Sequence, residues 1–348
     1  MHQFSGIPRW IGLAVAATPA FWLVAIGVHA QSAGAFSERG FGVRGIALGN
    51  AQVADAFGGG SPWYNPALAP LYSDQMIETA YTFLTNDRRL EYIQFAIPMK
   101  PRAGVAVGLI HGGVSDIDGR DASGYHTETY STDDYAAFLA FGSRVGSKVT
   151  IGLAFRFFRS TLLPELNANS IGLQIGTTVQ VRKNLFVGAS LDNVLSRFEW
   201  DSSNIPGSSG QKTTNNFPIK LRAGVAYRLM DQKLTLLGEY ESRFEKVDIP
   251  RAGVDVIGGS PRSTTTIEEL RLHQSSFRAG VEYQIAELLL FRLGVDRIGD
   301  GGGGEMIPTA GVTLKYAVGE LGTRFDYTFG KEAFGLGTFH LIGIRFYI

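Results

Sequence analysis

The chain has 348 residues, 45% of them hydrophobic and 11% aromatic, with 44 Gly and no Cys, and its 32 basic side chains balance its 32 acidic ones. Without cysteine there are no disulfide staples and no thiolate metal sites, and the even charge balance gives nucleic acid nothing to hold. Beyond the first thirty residues no stretch reaches the roughly 18–20 continuous apolar residues that a membrane-spanning helix needs.

Residues 1–30 differ from everything after them. Arg9 precedes an apolar run from Ile11 to Val28, and Val28-His29-Ala30 ends it before Gln31. A positive start, a hydrophobic middle and a small-x-small site predict a secretory signal peptide. A retained anchor helix is the other reading, because the run is long and Pro19 and Trp22 interrupt it.

Residues 31–74 show no alternation. They predict a Gly-rich, partly helical plug running from Gly45 to Asp55, through a turn-rich passage at Gly58 to Pro62, and on to Trp63-Tyr64-Asn65-Pro66-Ala67. Asn before Pro favours a turn, and two large amphipathic rings just before it need burial with a partner for their polar tips. We expect Trp63 and Tyr64 to wedge a hatch against an inner wall while Asn65 fixes the turn.

From residue 75 to residue 348 the period changes to two, and it persists. In 289–296, Leu289, Phe291, Leu293 and Val295 oppose Leu290, Arg292, Gly294 and Asp296. In 321–329, Leu321, Thr323, Phe325, Tyr327 and Phe329 oppose Gly322, Arg324, Asp326 and Thr328. The apolar set faces outward and the Gly-or-charge set inward, as a lipid-embedded barrel with a polar interior requires. About fourteen such segments follow, near 75–85, 91–98, 103–111, 133–142, 148–159, 169–181, 185–192, 217–229, 233–243, 272–285, 288–298, 308–317, 320–330 and 337–348. Every second connection is tight. The others, including 112–132, 193–216, 245–271 and 299–307, are mostly longer and polar, which predicts short periplasmic turns and long outer loops. The last strand puts Ile342, Ile344, Phe346 and Ile348 on one face; a soluble edge this apolar would aggregate, whereas a barrel strand pairs with the first strand and meets lipid. The expected fold is all-β: a membrane-spanning antiparallel barrel of about fourteen strands with an N-terminal plug, in the bacterial outer membrane.

Four stretches carry a family resemblance. They are Gly45 to Leu68 with its Asn65-Pro66-Ala67, Asp116 to Gly124 with Gly119-Arg120-Asp121, Ser190 to Val194, and Asp326-Tyr327-Thr328-Phe329 with His340-Leu341-Ile342. In this order they resemble the PorV/PorQ-like outer-membrane proteins, relatives of the FadL-type transporters. The resemblance implies a fourteen-stranded barrel with a hatch in its lumen. PorV-like members serve type IX secretion, binding channel components or exported cargo, whereas FadL-like members pass hydrophobic small molecules. The best-matching stretches look more PorV-like, so a secretion-associated partner barrel is the leading expectation, with the FadL-like transporter as the alternative.

The predicted lumen face carries Arg156, Arg222, Arg228, Arg278, Arg292, Lys315, Arg324 and Arg345 beside Glu78, Glu239, Glu241, Glu282, Asp296 and Asp326. Buried charges must be partnered or solvated, so Arg222, Arg228, Glu239, Arg278, Glu282, Arg292, Asp296, Arg324, Asp326 and Arg345 are expected to pair into a network. The basic excess of this set is too small to support an anion-conducting pore. Enzyme motifs are missing: His111-Gly112-Gly113 has no Gly-x-Ser-x-Gly partner, and Gly301–Gly304 lacks the Lys-Ser/Thr of a phosphate loop. No catalytic residues, metal site or cofactor are expected. The expected partners are outer-membrane lipid and either secretion components or a hydrophobic small molecule.

Overall fold

In the computed structural model, residues 33–57, 59–205, 210–257, 260–299, 305–318 and 321–348 are described. The expected signal peptide (1–30) and the Gly301–Gly304 run lie outside them.

The period-two stretches form a closed antiparallel barrel of fourteen strands. They begin with β1 (Met76–Phe83), β2 (Arg88–Met99), β3 (Ala103–Arg120), β4 (His126–Val145), β5 (Val149–Leu163), β6 (Leu166–Arg182) and β7 (Leu185–Val194). A hairpin of β8 (Arg197–Asp201) and β9 (Lys212–Asn216) interrupts the wall and pairs only with itself. The barrel then continues through β10 (Ile219–Leu229), β11 (Leu234–Ile257), β12 (Ser260–Ala286), β13 (Leu289–Ile298), β14 (Ile307–Val318), β15 (Leu321–Lys331) and β16 (Thr338–Tyr347). β1 closes on β16, from Met76 opposite Tyr347 to Phe83 opposite His340, so the sheet leaves no unpaired edge where water cannot satisfy it.

Side chains are sorted inside out relative to a soluble protein. On β13, Phe291 is 45% and Leu293 64% exposed while Arg292 between them is 1% exposed. Water would not tolerate that arrangement along strand after strand, whereas hydrocarbon outside and a packed polar lumen inside reward it.

One end of the barrel carries only short connections, such as Val145 to Val149 and Leu229 to Leu234. At the other end the expected loops 112–132 and 245–271 are largely strand. β11 and β12 run for 24 and 27 residues, far beyond the roughly 9–11 residues that cross a bilayer. Once the ribbon leaves the membrane both of its faces meet water, so the apolar alternation stops while the backbone ladder continues. Cross-ribbon ion pairs such as Lys246 with Glu269 at 3.3 Å replace it. The expected loop 193–216 likewise contains the β8–β9 hairpin. Its Phe198 is buried, with its ring centroid 4.9 Å from that of Phe217.

Residues 33–74 contain a 3-10 turn (Ala35–Arg39), a short α-helix (Val43–Ala47) and a second 3-10 turn (Pro66–Leu71). The α-helix packs on β13 to β16 and the second turn on β2 to β6, so the segment reaches opposite sides of the inner wall.

Candidate functional site in the lumen

Backbone lies on backbone where this segment meets the wall. A Cβ added at Gly152 would overlap Pro66 and Ala67, one at Gly280 would meet Leu48, and one at Gly294 would meet Leu48 and Gly49. The same holds at Gly104 against Ala69 and Gly188 against Val53, while at Gly176 the space is taken by the Asn65 side chain. These glycines are cross-strand neighbours: Gly104 pairs with Gly142, Gly142 with Gly152, Gly152 with Gly176, and, further round, Gly280 with Gly294. They form a smooth inner track, and only the missing side chain permits so close an approach. Their inward phase was legible in the sequence. Their common level was not, because it depends on register.

The Trp63–Ala67 stretch is wholly buried. Asn65 caps the Pro66–Leu71 turn by accepting from the Ala67 N–H at 3.0 Å, satisfying a donor that the helical turn leaves orphaned. Its amide donates to Val53 O at 2.7 Å and to Thr177 O at 3.0 Å, tying turn, segment and wall together. Trp63 packs against Phe41 and Phe138, each centroid 5.6 Å away, the three rings forming a triangle, and the Arg156 guanidinium lies 4.1 Å over its ring. Arg156 and Gln174 donate to the Trp63 carbonyl. The Tyr64 hydroxyl accepts from the Phe41 N–H at 2.8 Å and donates to Asn50 Oδ1 at 2.7 Å. Pro66 rests against Gly142 and Gly152.

On the opposite side of the lumen, the charged residues of β10 to β16 interlock. Arg278 meets Glu239 and Glu241 at 2.9 Å each and Asp296 at 2.6 Å. Arg292 joins Glu282 at 2.6 Å to Asp326 at 2.8 Å, and Arg345 also holds Asp326 at 2.8 Å. Arg222 pairs with Asp192. The network continues into the N-terminal segment: Arg44 grips both oxygens of Glu282, at 3.0 and 3.1 Å, and pairs with Asp55. Val53 N–H donates to Glu239 at 2.8 Å, and Asn50 donates to Asp296 at 3.0 Å. Nearer the loop end, Glu38 bridges Lys220 and Arg243. Burial opposes ionisation of Glu38, but the Arg243 and Lys220 charges overcome it and lower its pKa to about 2.

Of the ten residues expected in the network, Arg228 and Arg324 stand apart. Arg228 lies 4.1 Å over the Phe57 ring and Arg324 4.5 Å over that of Tyr347, and among the described residues neither has a carboxylate at ion-pair distance. Arg44, Asn50, Asp55, Glu38 and Asp192 were not placed in the network from the sequence. A period-two test finds wall residues and is blind to an irregular segment, and Asp192 falls at a strand end where alternation gives little guidance.

The lumen is therefore divided. Facing the charged half, Leu90, Tyr92, Ile110, Phe138 and Phe158 of the wall pack with Phe41 and Trp63 of the segment, and Phe198 and Phe217 join them from the loop end. On the lipid side, a cavity of about 460 Å³ crosses β16, β1, β2 and β3, lined by Tyr81, Ile93, Leu109, Ile342 and Ile344 among others. Pairing of β1 with both neighbours is unbroken there.

No protein-family model and no curated protein sequence matches the chain. Its fold is similar to several solved structures. The toluene transporter TbuX of Ralstonia pickettii superposes with a TM-score of 0.57 at 16% identity, over 89% of this chain and 98% of that one. The toluene transporter TodX of Pseudomonas putida gives 0.58 at 12% identity, over 88% and 97%. A FadL homologue of Pseudomonas aeruginosa gives 0.56 at 10% identity, over 88% and 98%. At these identities the shared property is the FadL-like barrel fold. A closed barrel of fourteen strands, apolar outside and charged within, is at home in the bacterial outer membrane.

Proposed function

We propose that this barrel passes apolar small molecules across the outer membrane, and that residues 31–74 form a hatch closing the lumen of the 75–348 barrel. The observation that carries this reading is the apolar half of the lumen. A barrel built only to conduct ions or sugars has a polar interior throughout. Here Phe138, Phe158, Ile110 and Tyr92 offer a continuous apolar wall, and the hatch residues Phe41 and Trp63 stopper it. An apolar solute crossing from the loop end would move along this wall once the hatch shifts. Toluene, carried by the two structurally similar transporters, is the natural probe class.

Transport thus takes precedence over the secretion-partner role that leads in the sequence. One observation still favours that second role: the β3–β4 and β11–β12 ribbons reach far beyond the membrane and present pairing edges and side chains to a protein partner. No catalytic role is proposed.

A paired assay separates the two roles. Trp63→Ala with Asn65→Ala removes the stopper's ring and its amide ties. Toluene uptake and export of surface proteins are then followed in one strain, with barrel assembly checked by resistance to heat unfolding. Transport predicts changed uptake, normal export and an assembled barrel. Unchanged uptake with impaired export would move the function to the partner role, and both unchanged would reduce the hatch to filler.

A further inference from the structure

At the short-turn end, beneath the Arg44 side of the hatch, lies a cavity of about 250 Å³ whose lining includes Arg228, Lys233, Lys315 and Arg324. We infer that this basin binds a phosphate group, held between the barrel wall and the hatch.

The first support is a contrast in charge pairing. Arg278, Arg292 and Arg345 of the lumen each bond to one or more carboxylates. In the basin, Glu282 is the lone acid of the described lining, and its two oxygens are taken by Arg44 and Arg292. Among the described residues, Arg228, Lys233, Lys315 and Arg324 have no carboxylate at ion-pair distance. Arg228 reaches only neutral oxygens, Thr235 at 3.4 Å and Gln232 at 3.5 Å. The excess that looks negligible when averaged over the lumen is gathered in one place.

The second support is register. Lys315 and Arg324 are direct cross-strand partners on β14 and β15, both on the lumen side. Like charges placed directly opposite in a sheet repel, and the remedy available to such a pair is an anion between them. Several cations converging on one small space favour a multiply charged oxyanion, because a single negative charge leaves most of the repulsion in place. A phosphate monoester or inorganic phosphate supplies about two charges and several acceptor oxygens, which suit the forked guanidinium donors. The group could arrive as free phosphate or as a lipid headgroup; the chemistry is the same. Because Arg44, Phe57 and Gly59 of the hatch share the lining with the wall cations, bound phosphate would tie hatch to wall. The inference does not depend on which solute crosses the lumen.

The test uses the purified full chain in neutral detergent. Thermal unfolding is followed in inorganic phosphate, acetate and chloride at matched ionic strength, with a short-chain phosphatidic acid as a fourth arm. At phosphate about a hundredfold above its Kd, the midpoint should rise by on the order of 5 °C over chloride, with acetate behaving like chloride. The double variant Lys315→Gln with Arg324→Gln should melt higher than the native chain in chloride, because the repulsion is gone. It should also bind phosphate at least tenfold more weakly by calorimetry. That reversal of sign distinguishes a binding site from a merely structural pair. Response to both phosphate and phosphatidic acid leaves the source open to either, while response to one alone identifies it. Equal midpoints in phosphate and chloride, equal stabilisation by acetate, or undiminished phosphate binding by the double variant would each overturn the inference.

Discussion

Glu38 shows how a residue of the irregular segment is fastened to the wall. Its burial alone would raise its pKa above the ordinary 4.5, and the adjacent Arg243 and Lys220 charges reverse the direction. A carboxyl whose folded pKa is depressed stabilises the fold above its unfolded pKa and loses that contribution as pH falls through the folded one. The clamp is thus fully present above about pH 4.5 and disappears toward pH 2. Glu38→Gln should cost about 2–3 kcal/mol at pH 7, and the gap between variant and native midpoints should close between pH 4.5 and pH 2. Melting both proteins across that range checks it; a gap that persists unchanged at pH 2 would refute the clamp. At this scale the sequence spoke unevenly. Trp63 and Tyr64 announce their need for burial by their size, and Asn65 its turn by the proline after it. Asn50, which accepts from the Tyr64 hydroxyl, lies in the same segment, but the partners Arg156 and Gln174 come from the distant strands β5 and β6, and no local spacing brings them together.

Strands were the easiest elements to read, because lipid on one side and packed charge on the other impose alternation at every rung. On β13 that alternation fixes a prediction. Phe291 points to lipid, so Phe291→Arg should cost about 2–4 kcal/mol near the membrane midplane. Arg292→Met at the neighbouring inward position should also destabilise, by about 3–5 kcal/mol, but for another reason: it leaves only Arg44 and Arg345 to neutralise Asp55, Glu282 and Asp326, one buried negative charge too many. Adding Glu282→Gln to Arg292→Met should recover part of the second loss, since Arg44 with Asp55 and Arg345 with Asp326 are then matched pairs, and nothing at residue 282 should rescue the first. Folded fractions in urea for the four variants decide this, and equal rescue in both cases would break the assignment of faces. The ribbon extensions of β3, β4, β11 and β12 were harder to see. Outside the membrane the two faces of a ribbon share one solvent, and the pattern that marks a strand vanishes while the strand remains. The β8–β9 hairpin was hidden for a different reason: it has only five residues on each side, and although Phe198 and Trp200 alternate on β8, Lys212–Asn216 carry no apolar residue to mark the partner strand.

For the molecule as a whole, the closing strand carries the heaviest duty. Deleting Ile344–Ile348 removes the rungs from Thr79 to Met76 and the Arg345 partner of Asp326. It exposes two edges where unpaired backbone groups have no water. The truncated chain should be absent from the outer membrane and accumulate as soluble or degraded material, as fractionation and immunoblotting would show; normal membrane levels would contradict the closure. The barrel and its C-terminal seam were legible because topology leaves an apolar terminal strand few other fates. The division of the lumen was not, since it rests on which strands face each other across the interior. The track of wall glycines, finally, bears on biogenesis. The chain that lies on this track runs directly into β1, the strand whose pairing with β16 seals the wall. It therefore resembles a mandrel, about which the open sheet curls before the last seam zips. A bulky side chain on the track would then show itself as a sheet that never becomes a tube, long before any leak could be measured.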